Sequence, residues 1–236
     1  MSTPTVVLVH GAFAESASWN DVIKHLYENQ VNSLAVANPL RSVSGDAAYA
    51  RDVLDAVEGP VVLVGHSYGG FVITEAGAHP AVQALVYVSA FAPDHGENAF
   101  DLSTRFPGST LGEAIDAHPL SAGGKEFVIR REVFREQFAA DVPVQVAGLM
   151  GATQRPVTET ALTEPLASEV PAWKRHPSWF VYGELDRNIP AELQRWQSER
   201  AGARSSRELP GAAHALSVSQ PQAVADTILE AVRAVA

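Results

Sequence analysis

The fold is decided by one stretch of sequence, Val61-Val62-Leu63-Val64-Gly65-His66-Ser67-Tyr68-Gly69-Gly70. Its apolar start predicts a buried β-strand, and the amphipathic stretch after it predicts a helix. The strand must turn into the helix within about two residues, so we expect Ser67 in a strained conformation with its hydroxyl raised above the sheet edge. Glycine is needed at positions 65 and 69, because a side chain at either position would collide with this tight turn.

Strand and helix signals alternate outward from this stretch in both directions. Short runs rich in Val, Leu and aromatic residues predict about six strands, at Thr5–Val9, Asn32–Ala37, Pro60–Val64, Ala84–Val88, Ser178–Tyr182 and Ser206–Leu209. Amphipathic stretches predict helices at Ser18–Glu28, Asp46–Val57, Tyr68–Ala78, Ala191–Ala201 and Pro221–Val235. Most of the strand runs are apolar throughout, which is typical of a sheet buried on both faces. The sequence therefore predicts an α/β fold with a mostly parallel sheet and helices on both faces.

The interval between Val88 and Ser178 is too long for one crossover connection. It is rich in Phe and is cut into short pieces by proline and glycine. We therefore expect a mostly helical lid at residues 91–176, inserted into a core domain formed by residues 1–90 and 177–236. The alternative is that this segment adds further core helices to the sheet.

Composition excludes several classes of function. A formal net charge of −10 disfavours nucleic acids and anionic membranes as partners. The absence of cysteine excludes disulfides and thiolate metal sites, and we find no cluster with zinc-ligand spacing. No signal peptide and no apolar run near the ~20 residues of a membrane span is visible, so we expect a cytoplasmic protein. The oligomeric state stays open, with a homodimer as one possibility.

A serine hydroxyl needs a base to become a nucleophile, and His214 is the best candidate. It lies on a loop after the last predicted strand and before the final helix. The other seven histidines lie beside the nucleophile, next to turns, in the predicted lid or on a surface helix. We therefore predict that His214 takes the proton of Ser67.

The candidate for the acid that orients this histidine is Asp186. It follows a buried strand and precedes a predicted helix. The alternatives are that Asp186 caps the helix or pairs with Arg187 at the surface, or that Glu184 is the acid. The chain order serine, aspartate, histidine is the order found in α/β-hydrolases and differs from the other two common serine triads.

The segment His10-Gly11-Ala12-Phe13 follows the first strand and predicts an oxyanion hole. Gly11 lets the backbone approach the ligand, and the N–H groups of Ala12 and Tyr68 are then expected to donate to the oxyanion. The residues expected to contact substrate are Gly11, Phe13, Phe91 and, in the lid, Leu149.

These motifs together resemble a known family. The matching features are His10–Phe13 with Ser18-Trp19, the Gly65–Gly70 turn, Asp186 before Ile189-Pro190, and His214 before Ser219-Gln220-Pro221. They are similar to the small α/β-hydrolases, above all the compact esterase group that includes plant methyl esterases, hydroxynitrile lyases and similar bacterial hydrolases. The resemblance implies a water-excluding lid over a catalytic triad, no cofactor, and serine-dependent cleavage of a small-molecule carboxylic ester through an acyl-enzyme.

The chain departs from the lyase members of that group at two positions. Those members carry threonine where Gly11 stands and lysine where Ala215 follows the histidine. The difference favours hydrolysis of small, largely apolar esters over cyanohydrin cleavage. A C–C lyase or hydroxynitrile-lyase-like enzyme with the same triad remains the alternative, and a non-catalytic ligand sensor is a further one.

Overall fold

A computed structural model describes residues 3–236 of the chain. The strands in that range are β1 Thr5–Val9, β2 Ser33–Val36, β3 Val61–His66, β4 Val82–Val88, β5 Ile115–Pro119, β6 Lys125–Ile129, β7 Val157–Thr158, β8 Ser178–Gly183 and β9 Ser205–Leu209. Six of them form one sheet in the order β2-β1-β3-β4-β8-β9, with every neighbouring pair parallel. The predicted mostly parallel sheet of about six strands is confirmed.

The helices are α1 Asn20–Glu28, α2 Val43–Asp55, α3 Gly69–Ala76, α4 Ala99–Ser103, α5 Leu111–Ala114, α6 Arg131–Phe138, α7 Val144–Thr153, α8 Glu159–Thr163, α9 Ala191–Arg200, α10 Leu216–Ser219 and α11 Pro221–Val235. Helices α1 and α11 cover one face of the sheet, and α2, α3 and α9 cover the other. None of the helices in residues 3–236 is long and apolar enough to cross a membrane.

Alternating side chains of each central strand feed two separate cores, because successive residues of a strand point to opposite faces. In β1, Val6 and Leu8 pack against the α1 and α11 side, whereas Val7 and Val9 pack against the other. Burial on both faces explains why the strands read as continuous apolar runs. The carboxyl ends of the parallel strands share one edge of the sheet, and the loops that leave this edge carry the candidate residues.

Residues 91–176 contain α4 to α8 and also a small antiparallel sheet in the order β5-β6-β7. The expectation of a mostly helical segment missed this sheet. Strand β5 is largely exposed and carries no apolar alternation that would announce a strand. Its hairpin with β6 turns at Gly123 and Gly124, whose φ angles of +94° and +77° suit glycine. The division of the chain into a core domain and a lid stays a prediction.

Candidate active site

Ser67 lies between β3 and α3, with φ at +55° and only 7% of its surface exposed. Few residues other than glycine adopt this left-handed conformation, and it is typical of strained functional turns. The turn is held tightly: a Cβ at Gly70 would lie 1.9 Å from the Phe91 carbonyl oxygen, and one at Gly69 would lie 2.5 Å from that of Val9. The glycines therefore let α3 start directly behind the serine, as the sequence predicts.

His214 and Asp186 form a buried pair, although 28 residues separate them in the chain. The distance from His214 Nδ1 to Asp186 Oδ2 is 2.7 Å. Asp186 Oδ1 also accepts the backbone N–H groups of Asn188 at 2.8 Å and Ile189 at 2.9 Å. Gln194 Nε2 donates to Oδ2 at 3.1 Å. These bonds fix the carboxylate in one orientation, and that orientation fixes the histidine ring.

The alternatives for the acid do not have this geometry. The Glu184 carboxylate accepts the backbone N–H of Gly211 at 2.8 Å instead of contacting the histidine. The Arg187 guanidinium pairs with Glu136 at 2.7 Å, so it is not the ion-pair partner of Asp186. Asp186 does accept backbone N–H groups as a helix cap would, but the same carboxylate also accepts the imidazole N–H.

The side chain of His66 contacts both the backbone and the ring of His214, the candidate base. Its Nε2 lies 3.1 Å from the backbone carbonyl oxygen of His214, and the two ring centroids are 4.8 Å apart. Burial, with a smaller contribution from the neighbouring His214, holds the pKa of His66 well below its usual range. A neutral ring that donates through Nε2 anchors the loop of His214 without adding a second positive charge.

The loop after β1 is fixed by His10. Asn38 N–H donates to His10 Nε2 at 3.1 Å, so the proton lies on Nδ1, which donates to the Gly11 carbonyl oxygen at 3.0 Å. Burial lowers the pKa of His10 to about 4 and keeps it neutral. A Cβ at Gly11 would lie 2.5 Å from Ser67 Cβ, so only glycine lets the loop come this close. Gly11 thus acts through this approach and is not among the cavity-lining residues.

The two predicted oxyanion donors, Ala12 and Tyr68, lie side by side with Ser67 in the lining of one cavity. Among the hydrogen bonds of the described residues, none is donated by the backbone N–H of either one. The Tyr68 side chain is anchored separately, because its hydroxyl donates to Asp46 Oδ2 at 2.9 Å. Burial raises the pKa of Asp46 and of Tyr68. Sequence reasoning missed Asp46, since nothing local links it to a residue 22 positions away.

The cavity that contains Ser67 and His214 has a volume of about 470 Å³. Phe13 and Phe91, which are predicted to contact substrate, line it together with Phe100, Phe106 and Phe138. Much of its wall comes from residues 103–113, whose Pro107-Gly108 pair marked a break in the sequence but gave no sign of a cavity wall. Of the described residues that line it, Glu113 alone carries a full charge.

The expectation for Leu149 is corrected by the structure. Leu149 does not line the cavity, and 69% of its surface is exposed. Helix α7 turns Ala147 and Gly151 toward the protein, and Gly151 packs against Phe134. A residue two positions away from each lies about 200° around the helix, on the solvent side. The apolar character of Leu149 therefore gave the wrong indication.

Comparison with known proteins identifies the family of this chain. A family model described as the alpha/beta hydrolase family matches residues 6–227. The chain belongs to the alpha/beta hydrolase family. It is 29% identical over 180 residues to a carbendazim hydrolyzing esterase of Nocardioides sp. (strain SG-4G), covering 60% of this chain and 73% of that protein. It is 27% identical over 250 residues to salicylic acid-binding protein 2 of Nicotiana tabacum, covering 95% of both chains.

Among solved structures, polyneuridine aldehyde esterase has the same fold, with a TM-score of 0.82 at 20% identity. The match covers 97% of this chain and 99% of that one. The α/β-hydrolase fold and the family resemblance drawn from the sequence are confirmed.

Proposed function

We propose that this alpha/beta hydrolase is a serine carboxylesterase. Ser67 Oγ attacks the ester carbonyl carbon while His214 Nε2 takes its proton, and Asp186 holds the imidazolium that results. The N–H groups of Ala12 and Tyr68 stabilise the oxyanion. The bond to the alcohol then breaks, and His214 returns the proton to the departing alkoxide. Water, activated by His214, attacks the acyl-enzyme, releases the carboxylic acid and restores Ser67.

One observation carries this proposal. The imidazole of His214 is held by Asp186 at 2.7 Å through Nδ1, and the same histidine lines one cavity with the strained Ser67. His214 Nε2 is buried and makes no hydrogen bond to the described residues. A base with its proton fixed on Nδ1 has its free electron pair on Nε2, the side from which it can accept the serine proton. The hydrogen bond that Ser67 Oγ donates to His214 Nε2 in this mechanism is of a kind that often tightens only when substrate is bound.

The cavity supports a neutral and largely apolar ester as the substrate. Several phenylalanine side chains line it, and a volume of about 470 Å³ suits a drug-sized molecule. One relative, the esterase from Nocardioides, is named for hydrolysis of carbendazim, which supports an esterase that acts on a small molecule.

Cyanohydrin cleavage is disfavoured by the charges around the cavity. A departing cyanide needs a nearby cation, since a low-dielectric site penalises an unpaired charge. Within residues 3–236, no lysine or arginine lines the cavity. The Lys174 ammonium is held by Asp94 at 2.6 Å, and the carbonyl oxygen of Arg155 accepts the Phe13 N–H at 3.1 Å. Neither side chain is among those that line the cavity. We expect hydrolysis of short aryl esters and little cleavage of mandelonitrile.

The test combines labelling with turnover. A fluorophosphonate should add mass to the peptide that contains Ser67, and Ser67→Ala should lose both the label and nearly all ester hydrolysis. Ser44→Ala, which changes an exposed serine on α2, is the matched control and should retain both. Label on another serine, or near-normal turnover in a folded Ser67→Ala protein, would overturn the proposal. A protein that binds esters but neither reacts with the probe nor turns them over would favour a ligand sensor.

A further inference from the structure

Asn188 is a buried amide in the wall of the candidate active site. It follows Asp186 by two residues, is 3% exposed and lines the same cavity as Ser67 and His214. Its backbone N–H is already used, because it donates to Asp186 Oδ1 at 2.8 Å. The side chain takes no part in that hydrogen bond.

The orientation of this side-chain amide is set by Gln137, which reaches it from α6. Gln137 Nε2 donates to the Arg187 carbonyl oxygen at 2.9 Å and to Asn188 Oδ1 at 2.8 Å. Its Oε1 accepts the Thr110 hydroxyl at 2.8 Å. Since a carbonyl can only accept, the amino group of Gln137 must face Arg187, and the atom of Asn188 that meets it must be the oxygen. The amino group of Asn188 therefore takes the opposite side.

That amino group has no acceptor. Nδ2 of Asn188 is buried and makes no hydrogen bond within residues 3–236. Of the described residues that line the cavity, two have a buried side-chain nitrogen or oxygen without a partner, namely Asn188 and the candidate base His214. Buried donors in folded proteins are nearly always satisfied, so a donor without a protein partner in the wall of a binding cavity is available to an acceptor of a bound ligand.

We propose that Asn188 is a specificity-determining residue whose side-chain N–H donates to an acceptor oxygen of the substrate outside the reacting ester group. The inference rests on the proposed function and narrows its substrate class. The preferred esters carry an ether, methoxy or carbonyl oxygen in an otherwise apolar acyl or alcohol group. The wall around Asn188, with Phe138 and Ile189 among its residues, accepts the apolar remainder. A substrate that lacks this oxygen leaves the buried donor unpaired and is used less well.

The experiment is an oxygen scan. Each methylene of 4-nitrophenyl hexanoate from C3 outward is replaced in turn by an ether oxygen, and the same scan is made from C3 outward in the alkyl group of hexyl benzoate. The kcat/KM of each analogue is divided by that of its parent ester in the wild type and in Asn188→Leu. The leucine keeps a similar volume and the backbone N–H to Asp186. At one chain position we expect the ratio to be about tenfold higher in the wild type, the size of one neutral hydrogen bond.

One further test variant and one control variant show whether the effect depends on the Asn188 amide. Gln137→Met removes the group that orients the amide and should lower the same ratio at the same position, even if Asn188→Leu folds poorly. Asn29→Leu, at the exposed C-terminal end of α1, is the matched control and should leave every ratio unchanged. Ratios that agree within twofold between the wild type and both test variants at all positions would overturn the inference.

The role of Asn188 can be tested even if the protein has no esterase activity. If no ester is turned over, the same comparison is made by calorimetry, with the corresponding oxa-substituted methyl ketones binding to Ser67→Ala and to Ser67→Ala/Asn188→Leu. An affinity gain of about tenfold at one position supports the role of Asn188 without any catalysis. Equal affinities overturn it, whatever the reaction of the wild type.

Discussion

Replacing Asp186 with asparagine should lower kcat for ester hydrolysis by about 10⁴, the loss typical of a triad whose histidine takes the wrong tautomer. The wild-type carboxylate accepts two backbone N–H groups through Oδ1, from Asn188 at 2.8 Å and Ile189 at 2.9 Å. Through Oδ2 it accepts His214 Nδ1 at 2.7 Å and Gln194 Nε2 at 3.1 Å. Asparagine offers only one oxygen for these two sides, so its amino group must replace one of them.

The backbone decides which side keeps the oxygen. If the amino group faced Asn188 and Ile189, two hydrogen bonds of about 1 kcal/mol each would be lost and buried donors would face each other. On the Oδ2 side only the Gln194 hydrogen bond would be lost, because the imidazole can move its proton. The amino group therefore turns toward His214, whose Nδ1 must then accept and whose proton moves to Nε2. That nitrogen can no longer take the proton of Ser67. A loss of 10⁴ corresponds to about 5 kcal/mol of transition-state stabilisation, at about 1.4 kcal/mol for each factor of ten.

The assay is the initial rate of 4-nitrophenyl ester hydrolysis at saturating substrate, with thermal unfolding followed by circular dichroism to confirm that the variant is folded. Asp226→Asn is the matched control, because Asp226 is an exposed aspartate on α11 that accepts only Gln222 Nε2, at 2.8 Å. It should retain wild-type kcat. A folded Asp186→Asn protein with kcat within tenfold of the wild type would refute the assigned role of Asp186.

Three further outcomes are expected. Burial lowers the pKa of His10 from 6.5 to about 4. The unfolded chain then binds more protons than the folded one between these values, so stability falls by about 2 kcal/mol as the pH drops from 7 to 5. In urea unfolding, His10→Gln should lose that much less over this range, and an equal loss would contradict the burial argument. Gly70→Ala should fail to give soluble folded protein, because its Cβ would lie 1.9 Å from the Phe91 carbonyl oxygen; a native-like melting temperature would speak against this packing. Esterase activity should survive dialysis against EDTA, since the described residues hold no cluster of three His, Cys, Asp or Glu suited to a metal; a loss restored by a divalent ion would contradict the proposed chemistry.

The turn that carries Ser67 was readable from the sequence because its requirements are local. A buried strand, a serine flanked by glycines and a following helix are all properties of neighbouring residues, and the structure places Ser67 at φ +55° between β3 and α3. His214 and Asp186 were readable for a related reason. Each follows a strand of the parallel sheet, and the carboxyl ends of such strands meet at one edge, so position in the chain predicts nearness in space.

The walls of the cavity were not readable in this way. Leu149 looked like a lining residue because it is apolar, but which side of α7 faces inward depends on how that helix packs on Phe134. The small sheet of β5, β6 and β7 was missed because β5 is largely exposed and carries no alternating apolar pattern.

The sequence by itself determined the α/β fold, the candidate nucleophile and its predicted partners, because strand periodicity and turn chemistry act over a few residues. Only the tertiary structure decided which groups meet across long separations. Gln137 orients Asn188 from 51 residues away, and Tyr68 reaches Asp46 from another helix. These contacts depend on how segments far apart in the chain pack together, and hydrogen-bond partners so far apart leave no periodic trace in the sequence. The physical chemistry of the turn is local, whereas the shape and polarity of the cavity are products of packing.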